Sequence, residues 1–250
     1  MTEKSLSYRN CDKMIVVEHL SAGYGRKVIL SDISLILPSS SLVAVIGRNG
    51  TGKSTLIRTL AGLLPPLSGK TSIGGKDIYR MTAVERARLC AFVGTEKIRV
   101  PALNCHDLVA LGRAPYTGWR GSLTEEDEIA VDRALSLVEM QGFSERYLDS
   151  MSDGECQMVS VARAIAQDTP VILLDEPTAF LDFPNRRKTA ALLKSIAGQG
   201  KTIIYSTHDI DIAMSFSDLV LLVSEDGVLL APAASPVLRH RMERAFSSGA

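Results

Sequence analysis

Nowhere does this 250-residue chain approach the ~18 to 20 consecutive apolar residues that a membrane-spanning helix needs, so no transmembrane helix is expected. Its first ten residues are polar and do not read as a secretory signal, which makes the cytosol the expected compartment. No sign of charge dominates: 28 Lys and Arg balance 28 Asp and Glu, so no global basic field points to nucleic acid or anionic lipid as a partner. Cysteine is sparse and scattered. Cys11, Cys90, Cys105 and Cys156 show no C-x-x-C spacing, which favours free thiols over a metal site or a disulfide framework. Internal repeats and low-complexity tracts are also missing, so a solenoid or a disordered chain is not expected. What remains is a chain with 46% apolar residues, enough to fill the core of one large α/β domain or of such a domain with an inserted lobe.

The densest information lies in Gly47-Arg48-Asn49-Gly50-Thr51-Gly52-Lys53-Ser54-Thr55, a complete G-x-x-x-x-G-K-[ST] loop. It follows the apolar run Leu42-Val43-Ala44-Val45-Ile46 and precedes a helix-like segment at 56–62, giving strand, glycine loop, helix. Gly47, Gly50 and Gly52 let the backbone wrap a polyphosphate with its N–H groups turned inward, while the helix presents its positive end to the same anion. Lys53 can then reach the β- and γ-phosphates, and Ser54 can offer a hydroxyl to Mg²⁺. The chain is expected to bind a nucleoside triphosphate.

Around this loop the pattern is mixed. Residues 14–17 and 28–37 read as strands on either side of the turn-like Ser21-Ala22-Gly23-Tyr24-Gly25, an antiparallel edge leading into the nucleotide-binding strand. Pro65-Pro66 stops the first helix. Residues 71–73 and 76–79 flank Gly74-Gly75 as a hairpin, and 91–93 is a short core strand. From 96 to 150 no strand is convincing; helices are expected at 104–112 and 124–141, the second opened by a Thr124/Asp127 capping box, with Ala130, Ala134, Leu137 and Val138 on one face and Gly142 at its end. Then come a helix at 152–167, a buried strand at 171–174, a helix at 185–197 and a strand at 202–206, an alternation that implies a parallel sheet. Residues 219–223 and 228–230 close the fold as a hairpin about Asp226-Gly227; the tail after Pro236 carries no clear pattern.

The strand at 171–174 ends in Asp175-Glu176, at the carboxyl end of the sheet, where open α/β folds bind ligands. A triphosphate hydrolase needs one carboxylate for Mg²⁺ and a second to deprotonate the attacking water, roles that suit Asp175 and Glu176 in that order. Met151-Ser152-Asp153-Gly154-Glu155 contains an S-x-x-E capping box, and a capped helix start beside a glycine is also a second anion site. Two phosphate sites and one polyphosphate ligand are reconciled by a head-to-tail pair, in which this helix covers the γ-phosphate held by the other subunit. His208, in Ser206-Thr207-His208-Asp209, follows a strand and falls at the same sheet end, where it can stabilise leaving charge or position the water.

With these residues in place the chain resembles, over about residues 13–231, the ATP-binding subunits of ABC transporters. The Walker A loop runs from Gly47 to Thr55, the Walker B segment from Val171 to Glu176, the signature is Ser152-Asp153-Gly154-Glu155-Cys156-Gln157, the D-loop Ala179-Phe180-Leu181-Asp182, and the switch histidine His208. The resemblance implies an α/β P-loop NTPase fold with a mixed-sheet core, an antiparallel β subdomain and an inserted helical subdomain. It implies one domain over 1–250: an ATP-binding core at about 13–95 and 151–231, a helical subdomain at about 96–150 and a tail at 232–250. It further implies that Asn49, Gly50, Gly52, Lys53, Ser54, Thr55, Ser152 and Gly154 contact ATP, that Tyr24 stacks on adenine, that Ser54 and Asp175 hold Mg²⁺, and that Glu176 and His208 are catalytic. The implied assembly is a homodimer in the ATP-bound state, peripheral on the cytoplasmic side of the membrane, with permease subunits docked on the helical subdomain and, indirectly, a substrate-binding protein. Leu111-Gly112-Arg113-Ala114-Pro115, Asp153 and the run from Asp175 to Asp182 are similar to importers of iron–siderophore complexes, haem or vitamin B12.

One departure stands out. The family carries a glutamine after the 91–93 strand, where this chain has Gly94-Thr95-Glu96; Thr95 aligns with it, and Glu96 has the length and charge suited to Mg²⁺. Asp153 replaces the commoner glycine, and its charge opposes a nearby phosphate, so it is expected to point away from the nucleotide. The alternative readings are an ATPase of another importer or exporter, or a soluble ABC-type ATPase in DNA repair, chromosome organisation or translation. The last class usually needs a coiled-coil insertion or two ATPase halves, and 250 residues with one Walker A hold neither.

Overall fold

The computed structural model describes residues 13–96, 98, 100–118 and 121–247. The polar opening segment and Cys11 lie outside the described residues. The elements are β1 (Lys13–Tyr24), β2 (Lys27–Pro38), β3 (Leu42–Ile46), α1 (Lys53–Leu60), β4 (Ser68–Ile73), β5 (Lys76–Asp77), α2 (Ala83–Leu89), β6 (Cys90–Val93), α3 (Cys105–Ala110), α4 (Glu125–Leu137), α5 (Asp153–Ala166), β7 (Val171–Leu174), α6 (Phe183–Gly198), β8 (Thr202–Ser206), α7 (Ile210–Phe216), β9 (Leu219–Ser224), β10 (Gly227–Pro232) and α8 (Pro236–Ser247).

Two sheets organise them. The larger has the order β10-β9-β3-β8-β7-β6, parallel throughout except for the β9–β10 hairpin; the smaller, β2-β1-β4-β5, is antiparallel. The parallel strands are apolar on both faces, as a sheet covered on both sides requires. Alternate residues of β3 therefore enter different cores: Val43 and Val45 face the smaller sheet and α1, while Leu42, Ala44 and Ile46 face α6, α7 and α8. A third cluster joins Leu108 and Val109 of α3, Val131, Ala134 and Leu135 of α4, and Val159 and Ala162 of α5.

Several expected boundaries move, each for a local reason. The segment from Ser21 to Tyr24 is strand, not turn: β1 continues to Tyr24 through bulges, and the reversal falls at Gly25-Arg26. The β1–β2 hairpin belongs to the smaller sheet, the antiparallel β subdomain expected beside the mixed-sheet core. β5 stops after two residues because Asp77 accepts the Tyr79 N–H at 3.0 Å and starts a 3-10 turn, Ile78–Arg80. α2, capped by Thr82 and Glu85, and α7, capped by Asp209, were not expected; both are seven residues long, too short for a periodic apolar stripe to stand out. α4 ends at Leu137 rather than 141, with Glu139 in the left-handed region at φ 60°, so Gly142 falls in a later 3-10 turn. Its buried face is Val131, Ala134, Leu135 and Val138; Ala130 is only half-buried and Leu137 turns outward. α6 begins two residues early because Asp182 accepts the Asn185 N–H and a proline fits its first turn. The tail forms α8. Cys90, Cys105 and Cys156 are buried and form no disulfide among the described residues, and burial pushes the Cys90 thiol up to about 12.

The α4 cap is also its anchor. Asp127 accepts from the Thr124 N–H and hydroxyl and, through its other oxygen, from Arg113 Nε at 2.8 Å; Arg113 also donates to Ala166 O at the end of α5. These bonds, the Thr124 N–H foremost, hold the Asp127 carboxyl below the usual range. A carboxyl whose folded pKa is depressed stabilises above its unfolded value of ~3.9, and the contribution is lost as pH falls through the lower folded value. Asp127→Ala should cost about 3 kcal/mol by urea unfolding at pH 7, since it strands a nearly buried guanidinium. The gap between variant and wild type should narrow as pH falls below ~3.9 toward the lower folded value; a gap independent of pH would show that the charge is not what stabilises.

Candidate nucleotide-binding site

The site is assembled by register. β3, β8 and β7 run parallel with Val45 opposite Ser206 and Leu174 opposite Tyr205, so their carboxyl ends finish level. The residues that follow β3 and β7 and those that close β8 therefore meet at one rim: Gly47 onward, Asp175-Glu176 and Ser206-Thr207-His208.

After β3 the chain turns through Gly50 at φ 81° and Gly52 at φ 103°, both left-handed, and Gly52 is the N-cap of α1. A Cβ on Gly52 would stand 2.7 Å from Ile29 Cγ2 and 3.1 Å from Leu30. That contact brings the start of β2 against the loop, and with it the hairpin end that carries Tyr24, whose ring is half-exposed. Asn49 is exposed and Thr55 buried in the first turn of α1. Lys53 is nearly buried, and its Nζ donates to Gly47 O at 2.9 Å and Arg48 O at 3.1 Å. Burial lowers its pKa, opposed by the charges of Glu176 and Asp175. The ammonium is held inside the loop by two carbonyls, with a third hydrogen to offer.

Asp175 is fully buried. Its Oδ1 accepts from Ser54 Oγ at 3.1 Å and from Ser206 Oγ at 2.7 Å, while its Oδ2 is buried without a partner. A buried carboxylate with one bare oxygen, whose other oxygen accepts from the Ser54 hydroxyl, is a divalent-cation ligand set in chemical type. Glu176 adopts φ 51°, a conformation a non-glycine residue holds at a cost of ~1 to 3 kcal/mol; its N–H donates to Ser206 Oγ at 2.8 Å, and Oε1 pairs with His208 Nε2. A left-handed glutamate fixed this way, next to a phosphate-type loop, is strain concentrated where chemistry is expected.

Ser206 is the residue that sequence reasoning missed. It sits fully buried at the end of β8 and links both carboxylate residues at once. The available signal was a hydroxyl closing an otherwise apolar strand, which gains meaning only when β7 and β8 are known to be neighbours.

Ser152 and Gly154 do not join this cluster. They open α5 on another face: Ser152 Oγ accepts from the Glu155 N–H at 3.3 Å, and the Ser152 N–H donates to Glu155 Oε2 at 2.7 Å. The latter bond first, then the Ser152 hydroxyl, lowers the Glu155 pKa. A Cβ on Gly154 would lie 3.1 Å from Phe180 O, so the helix start is set tightly against the loop after β7. The two are beside a cleft of about 740 Å³ that also takes in Asp153, Leu181 and Asn185. Glu96, exposed, pairs with Arg58 Nη2 at 3.1 Å, one turn along α1 from Ser54, and Thr95 is half-buried.

A glycine loop opening a helix, a buried lysine and two acids following a parallel strand that lies one strand away from the loop's own, beyond β8, define a P-loop nucleoside triphosphatase. The family model for ABC transporters matches residues 30–179. Similar proteins include the achromobactin transport ATP-binding protein of Dickeya dadantii, 37% identical over 210 residues covering 84% of this chain and 78% of the relative. The petrobactin import ATP-binding protein FpuC of Bacillus anthracis is 35% identical, covering 92% of this chain and 85% of the relative. Among solved structures, an ABC transporter assigned to the metal-chelate type, in an inward-facing conformation, aligns with TM-score 0.81 at 26% identity over 94% of this chain and 89% of its own. A dimeric ATP-binding cassette with ADP and Pi bound aligns at 0.79 and 25% identity, over 89% and 100%. The chain belongs to the ABC transporter family, as an ATP-binding subunit of the ATP-hydrolysing class. Among its described residues no helix is long and apolar enough to cross a membrane.

Ser206→Ala should reduce ATP turnover about tenfold, close to 1.4 kcal/mol of barrier, because both Asp175 and the Glu176 backbone lose a partner. Folding stability should fall by ~1 to 3 kcal/mol for the orphaned N–H. Steady-state kinetics at a temperature well below unfolding separate the two effects; wild-type turnover would deny Ser206 any part in the site.

Proposed function

We propose that this protein is the ATP-hydrolysing subunit of an importer, peripheral on the cytoplasmic face of a membrane permease, and that it energises uptake of a metal chelate such as an iron–siderophore complex, haem or cobalamin. The observation that carries the ATPase part is the Ser54–Asp175–Ser206 chain with its bare Asp175 Oδ2 beside the glycine loop. Support for the chelate comes from the relatives: achromobactin transport, petrobactin import, iron(3+)-hydroxamate import in Bacillus subtilis and cobalamin import in Halobacterium salinarum.

In this reading Gly50, Gly52 and Asn49 present the loop to the triphosphate, Lys53 turns its ammonium to the β- and γ-phosphate oxygens, and Thr55 stands in the first turn of α1 behind them. Tyr24 offers its exposed ring to adenine. Ser54 Oγ and Asp175 Oδ2 would hold Mg²⁺, which when bound neutralises charge on the phosphate oxygens. Glu176 takes the proton of the attacking water, and His208, already paired with it, donates to charge building on the γ-phosphate. Ser152 and Gly154, beside a separate cleft in the protomer, reach the γ-phosphate of a second copy in a head-to-tail dimer; that cassettes of the same fold are dimeric supports the pairing of two copies. Permease subunits and an external binding protein would supply the choice of chelate.

Glu176→Gln should bind ATP normally and lose turnover by ~10²-fold or more, accumulating as an ATP-bound dimer by size-exclusion chromatography. Turnover near the wild-type rate would remove Glu176 as the base. Lys53→Ala and Ser152→Arg should each be inactive, yet a mixed dimer should recover one competent composite site; proven mixed dimers without activity would count against the head-to-tail pair. In cells, deletion should abolish growth on one of ferric siderophore, haem or cobalamin, whereas growth on all three would refute chelate import and leave the ATPase intact.

A further inference from the structure

The C-terminal helix α8 delivers a side chain to the catalytic rim. Leu238 and Met242 are buried in the core against the large sheet, and Arg241 Nη1 pairs with Asp226 Oδ2 at 3.2 Å in the β9–β10 turn, so the helix is fixed on that side. The same i, i+4 step that places Leu238 and Met242 on one face continues to Phe246. Phe246 lies beyond the core: its residue is 38% exposed, and with Gly47, Asn49, Thr207, His208 and Ile210 it encloses a cleft of about 400 Å³. The ring of a residue near the chain terminus thus forms one wall of the space beside the histidine paired with Glu176.

We infer that Phe246 is a positioning residue for His208. The imidazole is about half-exposed, and among the described residues its hydrogen-bond partner is Glu176. One bond at an exposed site leaves an imidazole free to swing, and an aromatic wall in the same cleft removes part of that freedom before ATP arrives. Bulk is what matters at position 246, not aromaticity or charge. This role rests on the catalytic reading of His208 given above, and the test separates the two.

Four full-length proteins are compared: Phe246→Ala, Phe246→Leu, His208→Ala and the double variant Phe246→Ala/His208→Ala. Turnover, KM for ATP and thermal midpoint are measured for each, with single-turnover kinetics where activity is low. Phe246→Ala should lower kcat roughly tenfold, as misplacement of a catalytic group does, with KM within about twofold. Phe246→Leu should keep most of the activity. In the His208→Ala background the Phe246→Ala change should have no further effect, because the group it positions is gone. An unchanged kcat in Phe246→Ala, or an equal loss with and without His208, would overturn the positioning role while His208 stood. Wild-type turnover in His208→Ala would overturn the role of His208 and this one together. A collapse of the thermal midpoint in Phe246→Ala, with Phe246→Leu also inactive, would make Phe246 a core residue and refute the inference.

Discussion

A carboxylate with no solvent and one bare oxygen is costly to hold, and Asp175 is held that way. Its Oδ1 takes two hydroxyls, from α1 and from β8, while Oδ2 is buried without a partner. The energy to keep it comes from the strands around it: β7 lies between β6 and β8, all four of its residues are buried, and the Asp175 N–H donates to Val93 O at 2.8 Å. An unsatisfied buried charge persists only in a frame that cannot relax around it. The parallel sheet, covered on both faces by apolar side chains, is such a frame.

The same frame sets the other catalytic candidates. Because β3, β7 and β8 end in register, a glycine loop, two acids and a Ser-Thr-His segment meet without any long-range loop having to find its place. Ser206 converts that coincidence of strand ends into a network, accepting from the strained Glu176 backbone and donating to Asp175. Lys53 enters from α1, its pKa lowered by burial, an effect opposed by the charges of Glu176 and Asp175. The separate position of Ser152 and Gly154 has a physical basis too: α5 is bound to α3 and α4 through a core of its own, and its capped start faces outward rather than toward the loop of its own chain.

Much of this was legible in the residues. The runs 171–174 and 202–206 matched β7 and β8, and the Thr124/Asp127 and Ser152/Glu155 capping boxes appeared where the S/T-x-x-acid spacing put them. Short elements were not legible: α2 and α7 are seven residues each, too short for a periodic stripe, and β1 runs through a Ser-Ala-Gly segment whose composition signals a turn. There the pairing with β2, and the absence of a Cβ on Gly23 where Lys27 O approaches, override local preference. The tail carried no clear pattern because the partners of α8, the β9–β10 hairpin and the large sheet, lie elsewhere in the chain.

By itself the sequence determined the chemistry on offer: a phosphate loop, an acid pair ending a strand, a histidine after another strand, and a second capped helix start. These are local spacings, and backbone geometry follows from them over one or two turns. Strand order was decided only by the tertiary structure, and strand order is what puts Ser206 between Asp175 and Glu176, Arg58 under Glu96 and Phe246 beside His208. Each of those pairs joins residues 30 or more positions apart, and no local rule of propensity or periodicity carries information across that distance; packing of the two sheets and three cores does.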